Sequence, residues 1–474
     1  MRLITVIAVC IFSINAVFAG DAKISGKITN KLADEVQVSY YTNLLNYSQK
    51  TQTAKLSDDG SFSITVPVTE QYLQIQIQNG DQATETFIQS GDDLKLTVDG
   101  KNFDSTLRYT GKGAAVGNLM AKHVMEYSMM MMFGSRMQQH YTKEQEEFIN
   151  AANGEMKKEL DFLEANKKGV PESFVQYWKA WYQYSVYDEM IRYTFMHKMM
   201  KERTSSVIMR KKDYAILDKV PVAFNDNYIS IPGYVSYVAE LYTNKYSAMT
   251  DDDTTTPQEK KNELREAYVN KEVNTNMPPK TKEYYYAKNL YDNIKYSSLA
   301  DVEKRYAGFL ASYKNSSYDN ILSNAVAIKR KKAKGAPAIE FDFTTMEGKQ
   351  MKLSDLKGKV VYIDFWASWC GPCMRELPAT KKVKEHFKDK DVVFLNVSID
   401  DDMNAWKKAI EKNNITGIHT CEPGGWKNRI AQLYGVNSVP SYFLIDRNGK
   451  FASENTPRPS ETEQLIKEIE AVLQ

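Results

Sequence analysis

Between residues 22 and 110, apolar and polar positions alternate with period two. Val36, Val38 and Tyr40 share one face; so do Phe62, Ile64, Val66 and Val68, then Leu73, Ile75 and Ile77, then Leu94, Leu96 and Val98. Turn signals separate the runs: Asp58-Asp59-Gly60, Asn79-Gly80, Gly91-Asp92-Asp93 and Asp99-Gly100. Short alternating strands at these spacings predict an antiparallel β-sandwich or barrel. From about residue 115 to 330 the pattern becomes helical. Tyr141 to Lys168 is rich in Glu, Lys and Ala, and Glu172 to Glu202 is dense in Tyr, Trp and Met. Pro221, Pro232 and Pro278-Pro279 break the later helices, and no solenoid repeat emerges. After Gly335-Ala336-Pro337, strands and helices alternate, which predicts an α/β unit. Val360 to Ala367 and Val392 to Ile399 read as buried strands. Met403, Trp406 and Ile410 share a helix face, Ile415 to Cys421 is a strand, and a helix ends near Tyr434. Ser441 to Asp446 is a strand turned by Asn448-Gly449 into another. Ser460 with Glu463 reads as a capping box for a last helix with Leu465, Ile466, Ile469, Val472 and Leu473 inward.

These patterns predict a multidomain chain: residues 1–19 a signal peptide, 20–112 a β-rich domain, 113–332 an α-helical domain and 333–474 an α/β domain. A length of 474 residues allows two to four domains with ample core. The signal-peptide reading rests on Met1-Arg2, an apolar stretch from Leu3 to Ile14, and Val17-Phe18-Ala19. An uncleaved anchor is the rival, but the stretch falls short of the ~20 residues that cross a bilayer. A lipid anchor on Cys10 is disfavoured by the bulky Val9 before it. No other stretch is apolar enough to cross a membrane, so the expectation is an exported, soluble protein.

The formal net charge of +2 gives no electrostatic case for nucleic acid. The basic run Lys329-Arg330-Lys331-Lys332 falls at a predicted linker and reads as a solvated hinge. Met129-Met130-Met131-Met132, with His123 and His140 nearby, could offer soft ligands to Cu(I); flexible core filling or an adaptable apolar surface is the commoner use of such residues. The acidic stretch 250–254 lacks the ligand spacing of a calcium loop and reads as a solvated loop.

Of the four cysteines, Cys10 would leave with the signal peptide. Too few remain for a disulfide framework. Cys370 and Cys373 stand in Trp369-Cys370-Gly371-Pro372-Cys373, where an apolar strand gives way to a helix. A helix N-terminus directs unpaired N–H groups and partial positive charge at the first sulfur and stabilises its thiolate. The two-residue spacer lets the second sulfur attack a mixed disulfide on the first. Zinc is the competing reading, but no second Cys/His pair lies at ligand spacing. Asp364 interrupts the apolar strand, so burial would raise its pKa and fit it to carry a proton near neutrality. A carboxylate turned into a polar pocket is the plainer reading. Cys421 is left over, either a third redox thiol or a buried bystander.

Residues from about 336 to 474 resemble a thioredoxin-fold domain of the TlpA/ResA type. The matches are Ala336-Pro337-Ala338-Ile339-Glu340-Phe341, Leu353-Ser354-Asp355-Leu356-Lys357-Gly358-Lys359, Asp364 through Cys373, Glu376-Leu377-Pro378, Tyr434-Gly435-Val436 and Val439-Pro440. The first 330 residues only loosely resemble the N-terminal extensions of exported TlpA-like proteins of Gram-negative bacteria. The resemblance implies a thiol:disulfide oxidoreductase in the periplasm or cell envelope, with no cofactor or metal beyond a redox-active Cys370–Cys373 disulfide. It implies Cys370 as a partly exposed nucleophile and Cys373 as a more buried resolving thiol. Asp364 would help deprotonate Cys373, and Glu376 would tune the thiols. Pro440 would follow a cis bond, with Val439, Trp369 and Pro372 forming an apolar docking rim for an extended substrate. Thioredoxin has a lysine near this Asp on the next core strand; by eye that position here is Phe394, which predicts a drier Asp364. Partners implied are protein disulfides and a membrane thiol reductase of the CcdA/DsbD type. Two rivals stand beside this reading. One is a peroxidase of the AhpC/TSA kind, which would carry Thr or Ser where Ala367 stands. The other is an envelope binding protein whose N-terminal modules capture a partner, with the redox domain secondary.

Overall fold

A computed structural model describes residues 20–127, 133–202 and 207–474. The signal-peptide stretch and Met129–Met132 lie outside the described residues. The chain is multidomain and divides into two compact units, Met1–Tyr286 and Ala287–Gln474.

The first unit begins with strands β1 (Gly20–Thr29), β2 (Glu35–Asn43), β3 (Ser48–Lys55), β4 (Ser61–Val68), β5 (Leu73–Asn79), β6 (Gln82–Ile88), β7 (Asp93–Asp99) and β8 (Arg108–Lys112), with the one-turn helix α1 (Phe103–Thr106) before β8. They form two four-stranded sheets, ordered β4-β1-β7-β8 and β3-β2-β5-β6. One apolar cluster draws Ile24, Ile64 and Leu96 from the first sheet and Val38, Ile75 and Ile77 from the second. The pairing is not wholly antiparallel: β1 and β7 run parallel, from Lys23 beside Asp93 to Thr29 beside Asp99. Short turns reveal hairpin neighbours, but strands so far apart in sequence pair by a crossover that no turn signal announces.

Helices follow: α2 (Ala114–Tyr127), α3 (Phe133–Gln138), α4 (Gln145–Asn166), α5 (Glu172–Glu202), α6 (Pro232–Thr250), α7 (Gln258–Asn276) and α8 (Pro279–Asn293). Helix α5 is buried on most of its faces through Phe174, Trp178, Tyr182, Ile191 and their neighbours. A helix covered all round needs no polar stripe, which accounts for its dense aromatic composition. His123 is buried with Nε2 2.6 Å from Glu159 and 3.1 Å from the Tyr182 hydroxyl. Among the described residues, no group of three or more His, Cys, Asp or Glu is placed to hold a metal.

The second unit contains α9 (Leu299–Ser312) and α10 (Asp319–Lys331), then β9 (Asp342–Thr344), β10 (Gln350–Lys352), β11 (Val360–Trp366), α11 (Gly371–His386), β12 (Val392–Ser398), α12 (Met403–Asn413), β13 (Ile418–Cys421), α13 (Arg429–Leu433), β14 (Ser441–Ile445) and α14 (Thr462–Leu473). The main sheet is ordered β13-β12-β11-β14; β11, β12 and β13 are parallel and β14 runs antiparallel to β11. Side-chain alternation along β11 serves both faces. Ile363 and Phe365 join Trp406 and Ile410 of α12 and Ile430 of α13, whereas Val360 and Tyr362 join Val383 of α11, Phe387 just after it, and Leu465 and Ile469 of α14.

Two local expectations are corrected. Ser460 does not cap the last helix, which opens after Glu461 with no side-chain cap; Ser460 bonds Glu376 instead. The basic run 329–332 is not a solvated hinge. It forms the last turn of α10 and the residue after it, with Lys329 buried and Lys332 half-buried.

Candidate functional site

Strand β11 ends at Trp366, and the loop after it is held from below. Asp400 is buried and accepts the Ser368 N–H on both oxygens at 3.1 and 2.9 Å and the Ser368 hydroxyl at 2.6 Å. The Ser398 hydroxyl donates to the same carboxylate at 2.6 Å. This clamp fixes the residue two positions before the first cysteine.

Cys370 is the N-cap of α11, and its Sγ accepts the Cys373 N–H at 3.1 Å. Cys370 and Cys373 are joined by a disulfide. Both are more buried than expected. Cys370 is 3% exposed and Cys373 5%, within one apolar cluster that Val439 also packs against. The expected contrast between an exposed and a buried sulfur is absent in this bonded state, because Cys370 sits at the sheet end beneath its neighbours while Gly371 and Pro372 carry the exposed turn. In the dithiol, the same Cys373 N–H would face the Cys370 sulfur and favour its thiolate.

The Val439–Pro440 peptide is cis. Val439 is half-buried and Pro440 buried. Trp369 is 57% exposed and meets Trp426 edge-on, ring centroids 5.9 Å apart; Trp426 is itself 44% exposed. The turn Pro423-Gly424-Gly425 delivers Trp426. Gly424 and Gly425 have φ of 124° and 53°, and a Cβ on Gly425 would come within 2.6 Å of the Asp401 carboxylate. Trp426 was not singled out from the sequence as part of the rim; its place beside a glycine turn was the available signal.

Asp364 lies on the sheet face of Tyr362, beside Asn396 on β12 and Tyr442 on β14. Its Oδ1 is buried without a hydrogen-bond partner. Burial pushes the carboxyl up to about 7; Lys384 opposes the shift and Glu376 adds to it. Phe394 lies on the neighbouring strand β12, beside Tyr362 and one pair along from Asp364 on the same face. The cation comes from another element. Lys384 of α11 stands over the Phe394 ring at 5.3 Å and donates to the Thr416 carbonyl at 2.5 Å. Burial pushes its ammonium down to about 8, and Asp364 opposes that shift.

Glu376 accepts the Ser460 N–H at 2.8 Å and its hydroxyl at 3.0 Å, tying α11 to the segment before α14. Cys421 is half-buried, its Sγ donates to the Asp400 carbonyl at 3.4 Å, and burial pushes the thiol up, away from the thiolate. The structure thus gathers Cys370, Cys373 and Val439 in one cluster, sets Trp369 and Pro372 at the surface, and places Asp364 among the residues of the second face.

The Redoxin family model matches residues 331–473. The thiol-disulfide oxidoreductase ResA of Bacillus thuringiensis is 32% identical over 137 residues, covering 28% of this chain and 78% of the relative. The chain belongs to the ResA-like thiol-disulfide oxidoreductases. The ResA of Bacillus anthracis is 34% identical, with 27% of this chain and 72% of the relative covered. A solved structure described as a putative thiol:disulfide interchange protein DsbE from Chlorobium tepidum is 36% identical, covering 30% of this chain and 98% of its own, with a TM-score of 0.27. The ResA-like part is the C-terminal third, and a long extension precedes it. The protein is therefore a thiol:disulfide oxidoreductase with a thioredoxin-like domain. No described helix is long and apolar enough to cross a membrane.

Proposed function

We propose that this ResA-like chain is an exported reductant of protein disulfides that acts through Cys370 and Cys373. The observation that carries the reading is the cysteine pair at the start of α11, with the Cys373 N–H on the Cys370 sulfur. In the dithiol state the Cys370 thiolate attacks one sulfur of a substrate disulfide, forms a mixed disulfide and expels the other sulfur as a thiolate, which takes up a proton. Cys373 then loses its proton to Asp364, whose carboxyl titrates near the working pH. The Cys373 thiolate attacks Cys370, closes the intramolecular disulfide and releases the second substrate thiolate. Two electrons pass from protein to substrate.

Val439 and Pro440 align an extended segment of substrate, and Trp369 and Pro372 supply the apolar rim. Glu376 acts on the site through its charge on Asp364 and through its anchor to Ser460. An electron donor must restore the dithiol, and a membrane thiol reductase of the CcdA/DsbD type fits that need. The apolar stretch 3–14 supports export to the periplasm or envelope of a Gram-negative bacterium. Residues 20–112 are a β-rich region of two sheets, and the helices between 113 and 332 run from the first compact unit into the second. Together they select the partner presented to the domain at 333–474. The test is reduction of insulin by the full chain with a chemical electron donor. Turnover that disappears in Cys370→Ser is expected; equal rates in wild type and Cys370→Ser would refute the reading.

A further inference from the structure

Lys329 and Lys332, from the basic run at the end of α10, line a cavity of about 680 Å³ whose wall also holds Lys295, Pro440 and Tyr442. Lys329 is only 6% exposed, yet its ammonium hydrogen-bonds to neutral acceptors, the Asn455 side-chain oxygen at 3.1 Å and the carbonyls of Glu454 and Lys295 at 3.3 and 3.4 Å, with the Glu454 charge opposing the effect of its burial. Lys295 donates to the hydroxyls of Ser438 and Ser441, both at 3.2 Å. Lys332 donates to the Tyr434 carbonyl at 2.8 Å. Of the acids on the same wall, Asp292 pairs with Lys288, while Glu454 accepts the Leu299 N–H and Glu461 the Arg458 N–H, bonds that leave both of those charges in place. Burial and mutual repulsion push the Lys332 ammonium down to about 8, with Lys329 and Lys295 as the repelling charges.

The wall sets Lys295, Lys329, Lys332 and Arg458 against Asp292, Glu454 and Glu461, and Asp292 is already paired with Lys288, so positive charge is in excess among partly desolvated groups and an added carboxylate is favoured. The volume exceeds what one small ion needs and lies in the range that holds several side chains or a small ligand. Pro440 belongs to this wall, and Val439 before it packs on the cluster that contains both cysteines. A substrate segment running along Val439 would therefore lie next to this wall. We propose that the cavity selects polypeptides carrying Asp or Glu side chains close to the disulfide, by taking those carboxylates onto Lys295, Lys329 and Lys332. The proposal rests on the protein-disulfide reading above and names its substrate class.

The test uses the full reduced chain and two short disulfide peptides that differ only in Glu against Gln beside the cysteines. Oxidation of the cysteine pair is followed in single turnover. The Glu peptide is expected to react about ten-fold faster at low salt, the gap closing as salt screens the charges. In Lys295→Gln and Lys329→Gln the ratio of the two rates falls toward one. Each variant is its own control through that ratio, and Lys295, being exposed, carries the test if Lys329→Gln does not fold. A wild-type ratio near one, or a ratio unchanged in Lys295→Gln, overturns the proposal. Failure of the wild type to react with either peptide overturns the protein-disulfide reading itself, a distinct outcome.

Discussion

Asp400 holds Ser368 by three hydrogen bonds, two from the backbone N–H and one from the hydroxyl. This links the end of β12 to the loop that carries Trp369 and Cys370. Asp400→Ala leaves those donors and the Ser398 hydroxyl unpaired in a buried pocket. The expected cost is about 2–4 kcal/mol in urea unfolding. The loosened loop should also slow attack by Cys370 about ten-fold in single turnover with a disulfide peptide. Loss of stability with unchanged attack would limit Asp400 to a structural role.

Asp364 carries the pH prediction. Its carboxyl titrates near 7 in the folded chain, raised first by burial. If it takes the Cys373 proton, closure of the disulfide should rise with pH through about 7. In Asp364→Asn that limb disappears and closure slows by ~10²-fold. Stability moves the other way. A carboxyl whose folded pKa is raised contributes stability fully below its unfolded pKa and loses it as pH climbs through the folded value. Asp364→Asn should therefore gain stability over wild type between pH ~4 and ~8, by about 1–3 kcal/mol at the upper end. Urea midpoints across that range measure it.

Lys384 and Glu376 pull on Asp364 in opposite directions, Lys384 lowering its pKa and Glu376 raising it. Lys384→Met should move the pH midpoint of disulfide closure alkaline, and Glu376→Gln should move it acid. Glu376→Gln also weakens the bonds from Ser460, at a cost of about 1 kcal/mol. Midpoints that shift in the same direction would contradict this electrostatic reading.

Trp369 and Trp426 expose a joined aromatic surface beside Cys370. Either residue changed to Ala should raise KM for a protein disulfide about five-fold while altering the reaction with a small disulfide less. A double-mutant cycle should give about 0.5–1 kcal/mol of coupling.

The sequence made legible what repeats. Phe62, Ile64, Val66 and Val68 announce β4 because alternate residues must be buried. Strand β3 went unseen because Ser48 to Lys55 is polar and partly or fully exposed throughout, so nothing in its pattern had to alternate. The cysteines and Asp364 were legible because a motif and a lone carboxylate in an apolar strand are local signals. Lys384, Asp400 and Trp426 were not, since each acts across the fold on a partner tens of residues away. Ser460 misled for the same reason: its local partner would have been Glu463, but the fold offered Glu376. Lys329 looked like solvent charge in a basic run, and only the packing of α10 shows it buried.

Replacing Cys373 by Ser in the full chain, in the cell that makes it, tests the central claim most directly. With the resolving thiol gone, Cys370 should accumulate polypeptides in mixed disulfides that a reducing agent releases and that Cys370→Ser removes. A folded, abundant Cys373→Ser protein with no reducible adduct on Cys370 would contradict reduction of protein disulfides at this site.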